Sequence, residues 1–353
     1  MNKLAMFPMT REQCALARYR ADLPANELVY CFVPNHWLFG DKDICVIDGG
    51  EPCGVLLKNY NDDFLMQIDT LYIDYDSRIE NAKLYTKIID MAKHMGTEVV
   101  LSKTLMRALN FDIKNVSKPH MLATSMLYEI KCPVITVLTQ GSHTNQFAVE
   151  LALRRYFTKS GYRVSQIGSN DASLFFGFSG TPDYLHGNSN TQDKIISFNH
   201  HMKSLVEHED AELLIIGIPD AIMKYNNQFL QGLGILPYIM CTSVRSDFSV
   251  LCMYHMLYTM EYLDEMRRHC HYHLAAPVSM FEVSNTGLLA DEMSFYFSMK
   301  YVNLDTSFVL DSFKDLDVNG SQYLLFNALN KMSIENACVQ ASESLTSNVQ
   351  YMN

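Results

Sequence analysis

The segment CPVITVLTQGSHTNQFAVELALRRYFTKSGYRVSQIGS, residues 132–169, decides the fold of this chain. It begins with an apolar, β-branched run that is typical of a buried strand, and it then turns through a polar stretch around Gly141. Phe147, Leu151 and Phe157 follow at helical spacing, and a glycine stands just beyond the end of this helical stretch. The order of strand, glycine turn, helix and second strand predicts a parallel α/β sheet.

The apolar runs divide the chain into two α/β regions. In the first, the strand-like runs ELVYCFVP (27–34) and DICVID (43–48) precede IENAKLYTKIIDMAKHMG (79–96), whose apolar residues follow helical spacing. In the second, the continuous run ELLIIGIPD (212–220) is typical of a central parallel strand. Strands that alternate with helices in this way predict mainly parallel sheets in both regions.

These patterns predict an α/β fold with a Rossmann-like domain over residues 1–130 and a P-loop-NTPase-like parallel-sheet domain over residues 131–340. The polar end of the chain, 341–353, is expected to be a flexible tail. Within the second domain, we expect GILPYIMC (234–241) to be a strand and a long helix to run from about Ser246 to Arg268.

The turn around Gly141 has the frame of a phosphate-binding loop without its charged residue. In such loops, backbone N–H groups at a helix N-terminus hold an anion, a lysine adds positive charge, and the next Ser or Thr holds magnesium. Laid against G-x-x-x-x-G-K-[ST], Thr139 takes the first glycine position and Asn145 the second. Gln146 stands in place of the lysine, and Phe147 in place of the Ser or Thr.

A degenerate phosphate loop is therefore the first candidate site, and a nucleotide with Mg²⁺ is the cofactor that it would hold. In a P-loop domain an aspartate at the end of a central strand directs the magnesium, and Asp220 is the candidate for that role, although a turn residue after Pro219 is the plainer explanation of it. A simple β–α turn that holds no nucleotide is the alternative for the loop. The residues of the candidate loop are Thr139, Gln140, Gly141, Ser142, His143, Thr144, Asn145, Gln146 and Phe147.

Longer stretches of the sequence resemble known families. VLTQGSHTNQFAVELALRRYFTKSGYRVSQIGS (137–169) resembles, without a gap, the opening of dethiobiotin-synthetase-like P-loop domains. A Rossmann-like half joined to such a domain resembles a bacterial two-domain family of poorly known function. FGFSGTPDYL (176–185), DKIISFNHH (193–201) and ELLIIGIPDAIMKYNNQF (212–229) look most like peptide maturation system proteins. The resemblance implies partners for this chain: a small cysteine-containing precursor peptide and a radical SAM enzyme.

The composition limits the kinds of partner and the cellular compartment that we expect. The chain of 353 residues has 28 basic and 39 acidic residues, a net charge of −11, which argues against a nucleic-acid or anionic-membrane surface. Nine cysteines are scattered singly, and no export signal or membrane-length apolar run is evident, so we expect a cytoplasmic protein with reduced thiols. The 21 methionines suit either core filling or an adaptable surface. Whether the chain forms a homo-oligomer stays open.

A second candidate site is the run RRHCHYHL, which brings together His269, Cys270, His271 and His273. Imidazole and thiolate suit zinc or another transition metal, and in a strand the three histidines would share one face. Ligands this close along an unbroken element rarely surround one ion. Basic residues also favour the end of a helix, which is the plainer explanation of the run.

The sequence supports two main hypotheses about function. The leading hypothesis is an accessory protein of ribosomal peptide maturation, a pseudo-NTPase that binds a peptide or partner through an acidic, Met-containing surface or through the degenerate cleft. The alternative is an ATP-dependent ligase or kinase of the dethiobiotin-synthetase-like kind, in which Lys194 or Lys224 replaces the missing charge. A dinucleotide- or substrate-binding module in the N-terminal half ranks last, because G-x-G-x-x-G is absent.

Overall fold

The structure is a computed structural model. It describes residues 1–79, 81–111, 125–290, 292–293, 298–317 and 323–350. The fold is α/β, as predicted, and the chain forms two compact units. The first unit is Met1–Asn115 with Asp171–Gly177, and the second is Val116–Asn170 with Phe178–Asn353. The bridging segment that precedes residue 131 lies partly outside the described residues.

The first unit is built on a fully parallel sheet with the order β3-β2-β1-β4-β5. The chain order reverses beside β1, where Leu4 pairs with Leu28 on one side and with Thr70 on the other. In open α/β sheets, a ligand crevice forms outside the carboxyl ends of the strands at this kind of position. The strands are β1 (Asn2–Phe7), β2 (Asn26–Val33), β3 (Leu57–Asn59), β4 (Thr70–Ile73) and β5 (Glu98–Leu101).

Helices cover this sheet because each presents an apolar stripe to it. The longest buries Tyr85, Ile88, Ile89 and Ala92, which recur at spacings of one, three and four residues and therefore share one helical face. Phe7 and Phe32 from the sheet belong to the same apolar cluster. The helices are α1 (Arg11–Arg18), α2 (Cys45–Asp48), α3 (Ala82–His94) and α4 (Lys103–Ala108).

The second unit contains a larger, mixed sheet with the order β12-β11-β10-β6-β9-β7-β8, and β13 also pairs with β11. All pairs are parallel except β11 with β12. The central strand β6 is buried at every position, because helices cover both faces of such a sheet. The strands are β6 (Val134–Thr139), β7 (Val164–Gly168), β8 (Ser179–Gly180), β9 (Leu213–Gly217), β10 (Phe248–His255), β11 (Val278–Leu288), β12 (Tyr301–Asn303) and β13 (Leu324–Phe326).

Its helices are α5 (Gln146–Lys159), α6 (Thr191–His208), α7 (Ile235–Ser243), α8 (Met260–Leu274), α9 (Thr306–Asp317) and α10 (Lys331–Gln350). One large apolar cluster joins the sheet to α6, α7 and α8, and Phe198, Met240 and Cys270 each contribute a fully buried side chain to it. Among the described residues, no helix is both long enough and apolar enough to cross a bilayer.

Several local expectations were wrong. GILPYIMC begins helix α7 rather than a strand, and the expected helix from Ser246 begins instead with strand β10. A short apolar run fits both the helical and the strand periodicity, and contacts with the rest of the fold determine which structure forms. DICVID likewise contains the short helix α2.

Most of the expected tail has helical structure. Helix α10 continues through residues 341–350, and Ala341 and Leu345 are buried on it together with Cys338. These three side chains follow one another at spacings of three and four residues, so a narrow apolar stripe holds an otherwise polar helix.

Candidate functional site

The candidate loop lies between strand β6, which ends at Thr139, and helix α5, which begins at Gln146. The loop is closed by its own hydroxyl groups. Thr139 Oγ1 donates to the Gly141 carbonyl oxygen (2.6 Å) and accepts from the Gly141 N–H (3.0 Å). Thr144 Oγ1 lies 2.8 Å from Thr139 Oγ1. The turn therefore satisfies part of its own backbone instead of directing it at a ligand.

The first glycine position of the P-loop pattern falls one residue later than Thr139. The pattern places four residues between its two glycine positions, so with the second position at Asn145 the first falls on Gln140 rather than on Thr139. Gln140 is not available for a phosphate. Its N–H donates to Cys252 O, and its side chain accepts from Tyr254 N (3.1 Å) and donates to the Tyr262 hydroxyl (2.7 Å).

Gln146, in the lysine position, points back into the sheet. Its amide nitrogen donates to Val137 O (2.8 Å) and to Ile218 O (2.7 Å), and the side chain is buried. These carbonyls belong to β6 and to the residue directly after β9, so the carboxamide ties two neighbouring strands together at their carboxyl ends. A neutral group in this position adds no positive charge to the loop.

The space above Gly141 is filled by other side chains. A β-carbon at this position would overlap the Tyr254 hydroxyl and would come within 2.6 Å of the Gln231 amide nitrogen. Tyr254 comes from strand β10, and Gln231 from the segment before α7. The glycine is required here by close approach of neighbouring groups, whereas in a phosphate loop glycine admits the ligand.

Asn145 connects the start of helix α5 to a buried polar network. It is the N-cap residue, but its side chain makes no capping bond. Instead, its amide nitrogen donates to Glu282 Oε1 (2.7 Å), and Glu282 also accepts from Ala328 N (3.3 Å). Asn285 and Asn327 continue the network, with Asn327 Nδ2 donating to Asn285 Oδ1 at 2.8 Å.

A second buried carboxyl lies one helical turn beyond Gln146. Glu150 has no exposed surface and accepts from the hydroxyl (2.5 Å) and the N–H (3.1 Å) of Ser169. Gly217 of β9 makes room for it, since a β-carbon there would overlap the carboxylate. Burial raises the pKa of Glu150 to about 8, and the Ser169 hydrogen bonds oppose that rise only in part.

His143 and Ser142 form the outer part of the turn. His143 has the left-handed backbone that short turns require (φ 66°), its carbonyl accepts from Thr286 Oγ1 (2.5 Å), and its ring stands edge-on to Tyr301 with centroids 4.5 Å apart. Ser142 is exposed. The loop histidine is therefore held at both its backbone and its ring by the strands β11 and β12.

Asp220 follows β9, as expected, but its geometry is that of a turn. It is exposed, has a left-handed backbone (φ 64°), and its Oδ2 is 3.5 Å from where a β-carbon at Gly232 would lie. Of the two lysines considered as substitutes, Lys224 donates to Asn227 within its own segment, and Lys194 lies in the first turn of α6. Within the described residues, no hydrogen bond or ion pair joins either ammonium to the loop.

The His/Cys run lies on helix α8 rather than on a strand, so its side chains radiate in different directions. Cys270 is fully buried in the core, whereas His271 and His273 are exposed. The rings of His269 and His273 are 4.8 Å apart, one turn from each other, and burial lowers the pKa of His269. Among the described residues, no group of three or more His, Cys, Asp or Glu side chains is placed to hold a metal ion.

Fold and loop together define a class: a two-unit α/β protein whose second unit has a P-loop-shaped turn without a phosphate-binding lysine. A crystal structure of a DUF1611 family protein from Anabaena variabilis has a similar fold, with a TM-score of 0.62, 10% identity, and 98% of this chain and 100% of that chain covered. At this identity the likeness concerns the fold alone.

A pseudomurein peptide ligase type C from Methanothermus fervidus also matches, with a TM-score of 0.28 and 12% identity over 71% of this chain and 38% of that chain. A score this low carries no argument about fold or function. No protein-family model and no curated protein match the chain.

Sequence reasoning missed both buried carboxyls of this site. Glu150 stands between Val149 and Leu151 in a helix stretch that is otherwise apolar, and Glu282 stands between Phe281 and Val283 within a strand. An acidic residue flanked by core residues is the signal that identifies such positions, because a buried carboxyl requires hydrogen-bond partners.

Proposed function

We propose that the second unit is a pseudo-NTPase domain that binds a peptide or a partner protein and does not transfer phosphate. One observation carries the proposal: Gln146, in place of the catalytic lysine, uses its amide on the carbonyls of Val137 and Ile218. A phosphate loop needs a positive charge and inward-facing N–H groups at this position. Here the amide stabilises the sheet instead.

The electrostatics at the start of α5 support the same conclusion. Two buried carboxyls lie near the start of this helix: Glu282, bonded to the N-cap Asn145, and Glu150, one turn along the helix. A polyphosphate placed here would lie near carboxyls, which supply no positive charge to hold it. Tyr254 and Gln231 also occupy the space above Gly141.

An exposed apolar surface beside the loop suits a peptide. Between β9 and the first turn of α7, five large apolar side chains are between 44% and 56% exposed. We call them the 225–238 surface: Tyr225, Leu230, Leu233, Ile235 and Tyr238. An extended peptide with apolar side chains is the occupant that such a surface would bury.

The peptide we propose is a small cysteine-containing precursor made by the ribosome, and the chain would present it to a radical SAM enzyme in the cytoplasm. Similarity of the sequence to peptide maturation system proteins motivates this choice. All nine cysteines of the chain are free thiols, which suits a reducing compartment where precursor thiols also stay reduced. The net charge of −11 favours a neutral or basic peptide over an acidic one.

Fluorescence anisotropy with a labelled synthetic cysteine-containing precursor peptide tests the proposal. We expect saturable micromolar binding that Leu233→Asp and Ile235→Asp each weaken about tenfold, because each charge must be desolvated on contact. Met332→Asp is the matched control, since Met332 is exposed on α10. Equal binding by all variants, or no binding by the unaltered protein, would contradict the proposal.

A further inference from the structure

A cleft in the first unit has the composition of a small-molecule site. It has a volume of about 590 Å³ and lies beyond the carboxyl ends of β2 and β3, against one face of α3. This volume lies within the range of about 300–1,000 Å³ that small-molecule sites occupy. Carboxyl ends of parallel strands are where α/β sheets bind ligands.

The floor of the cleft is apolar and aromatic. Phe64 and Tyr60 come from the segment after β3, and Leu84 and Ile88, one turn apart on α3, complete it. The Tyr60 ring is held edge-on by Phe7 and Phe32, with centroids 5.2 Å and 5.6 Å away, so the floor is rigid. Such a floor accepts a planar ring by stacking.

The rim of the cleft carries carboxamides and one charge of each sign. Asn35 and Asn59 supply the amides, while the carboxamide of Asn61 is bonded to Asp63, and Asp62 and Lys87 supply the charges. A carboxamide presents a donor and an acceptor side by side, which matches the paired acceptor and donor on the edge of a nucleobase. A carboxylate is the usual acceptor for ribose hydroxyls in Rossmann-like sheets.

The hydroxyl of Tyr60 adds a group that a ligand would satisfy. It is buried, it lies beside Asp62, and it makes no hydrogen bond of good geometry to the described residues. Burial, with a contribution from neighbouring Asp62, raises the pKa of this phenol, so the hydroxyl keeps its proton. A buried donor of this kind needs a partner, and an acceptor on a bound molecule would provide one.

Nothing at the neighbouring β1–α1 turn suits a phosphate. Phe7 and Pro8 precede Met9 and Thr10, so the turn has no glycine, and Pro8 has no N–H to offer. We propose that the cleft binds an uncharged nucleoside, with its base on the aromatic floor, its edge at the carboxamides and its ribose at Asp62. The site lies in the other unit from the loop and is independent of the proposed function.

Calorimetric titration of the full chain with adenosine tests the site, with guanosine, cytidine and leucine as further probes. We expect saturable binding of a nucleoside that Tyr60→Phe and Asn35→Ala each weaken about fivefold, the effect of one hydrogen bond. Tyr60→Phe keeps the ring that packs against Phe7, and Asn35 is exposed, so both variants should fold, which thermal unfolding verifies. Tyr75→Phe, outside the cleft, should bind as the unaltered protein does.

Three results would overturn the assignment. The first is no saturable binding of any of the three nucleosides at millimolar concentration. In the second, leucine binds and the nucleosides do not, which would assign the charged rim groups to a zwitterion. In the third, nucleoside binding is unchanged in Tyr60→Phe and Asn35→Ala, which would place it elsewhere in the chain.

Discussion

The two units each contain a turn that leads from a central strand into a helix, and the two turns use their polar side chains differently. In the first unit, Thr10 caps α1 by accepting from Gln13 N, and the Gln13 side chain donates to Asp74 (2.7 Å). In the second, Asn145 leaves α5 without a side-chain cap and bonds Glu282 instead. The same strand–turn–helix frame therefore supports either a capped helix start or a connection into the sheet.

The acids near these turns differ as well. Burial raises the pKa of Asp74 to about 6, although Gln13 and other donors oppose the rise. Burial raises the pKa of Glu150 to about 8, and the hydrogen bonds from Ser169, just after β7, oppose that rise only in part. The second turn thus lies over a carboxyl that is mostly protonated at neutral pH, which suits structural packing better than anion binding.

The largest expected effect is the pH dependence that Glu150 gives the second unit. Its folded pKa lies above its ordinary value of 4.5, so the folded state holds the extra proton between pH 4.5 and about 8. The contribution of this group to stability is therefore complete below pH 4.5 and is lost as pH rises through about 8, by on the order of 5 kcal/mol. Hydrogen-exchange mass spectrometry, corrected for intrinsic exchange, measures this loss of stability on peptides from α5 and β9.

Glu150→Gln should remove this slope, and Glu207→Gln, an exposed acid on α6, should leave it unchanged. For Asp74 the corresponding window lies between pH 3.8 and about 6 and should appear only in peptides of the first unit. If the two units lose protection over the same pH window, the distinction between the two acids is wrong.

The next largest effect is steric. Gly217→Ala should destabilise the second unit by about 3 kcal/mol, because the new methyl group overlaps the fully buried Glu150 carboxylate. Urea unfolding measures the loss. In a Glu150→Ala background the same substitution should cost much less, and additive costs in this double-mutant cycle would refute the packing described here.

A smaller effect is expected at Gln146. Gln146→Met keeps the size of the side chain but removes the donor to Val137 O and Ile218 O, at a cost of about 1–2 kcal/mol in urea unfolding. Gln340→Met, on the exposed face of α10, is the matched control and should change stability little. An unchanged stability for Gln146→Met would mean that the amide does not hold the two strands together.

The smallest effect is expected at Gly141. Gly141→Ala should cost about 1 kcal/mol, since the groups that it meets are the ends of two side chains, the Tyr254 hydroxyl and the Gln231 amide, rather than backbone. Tyr254→Phe should relieve the cost, as thermal unfolding of the single and double variants will show. A loss as large as that of Gly217→Ala would indicate that the side chains over the loop are fixed as firmly as the core.

The sequence predicted the elements that carry strong patterns and missed those that depend on distant packing. The β6–loop–α5 unit follows from β-branched residues, one glycine and helical spacing, all within residues 132–161. The sequence predicts a strand at helix α7, because the apolar run there suits both structures. The missing lysine was evident at Gln146, but its hydrogen bonds were not, because Ile218 is distant in the chain.

The direct test of the central claim is calorimetric titration of the full chain with MgATP and with MgGTP. A loop closed by Thr139, Tyr254 and Gln146 predicts no saturable binding and no hydrolysis of either nucleotide. Micromolar binding with turnover that Asp220→Ala abolishes would contradict the account, and it would establish the ligase or kinase alternative in its place.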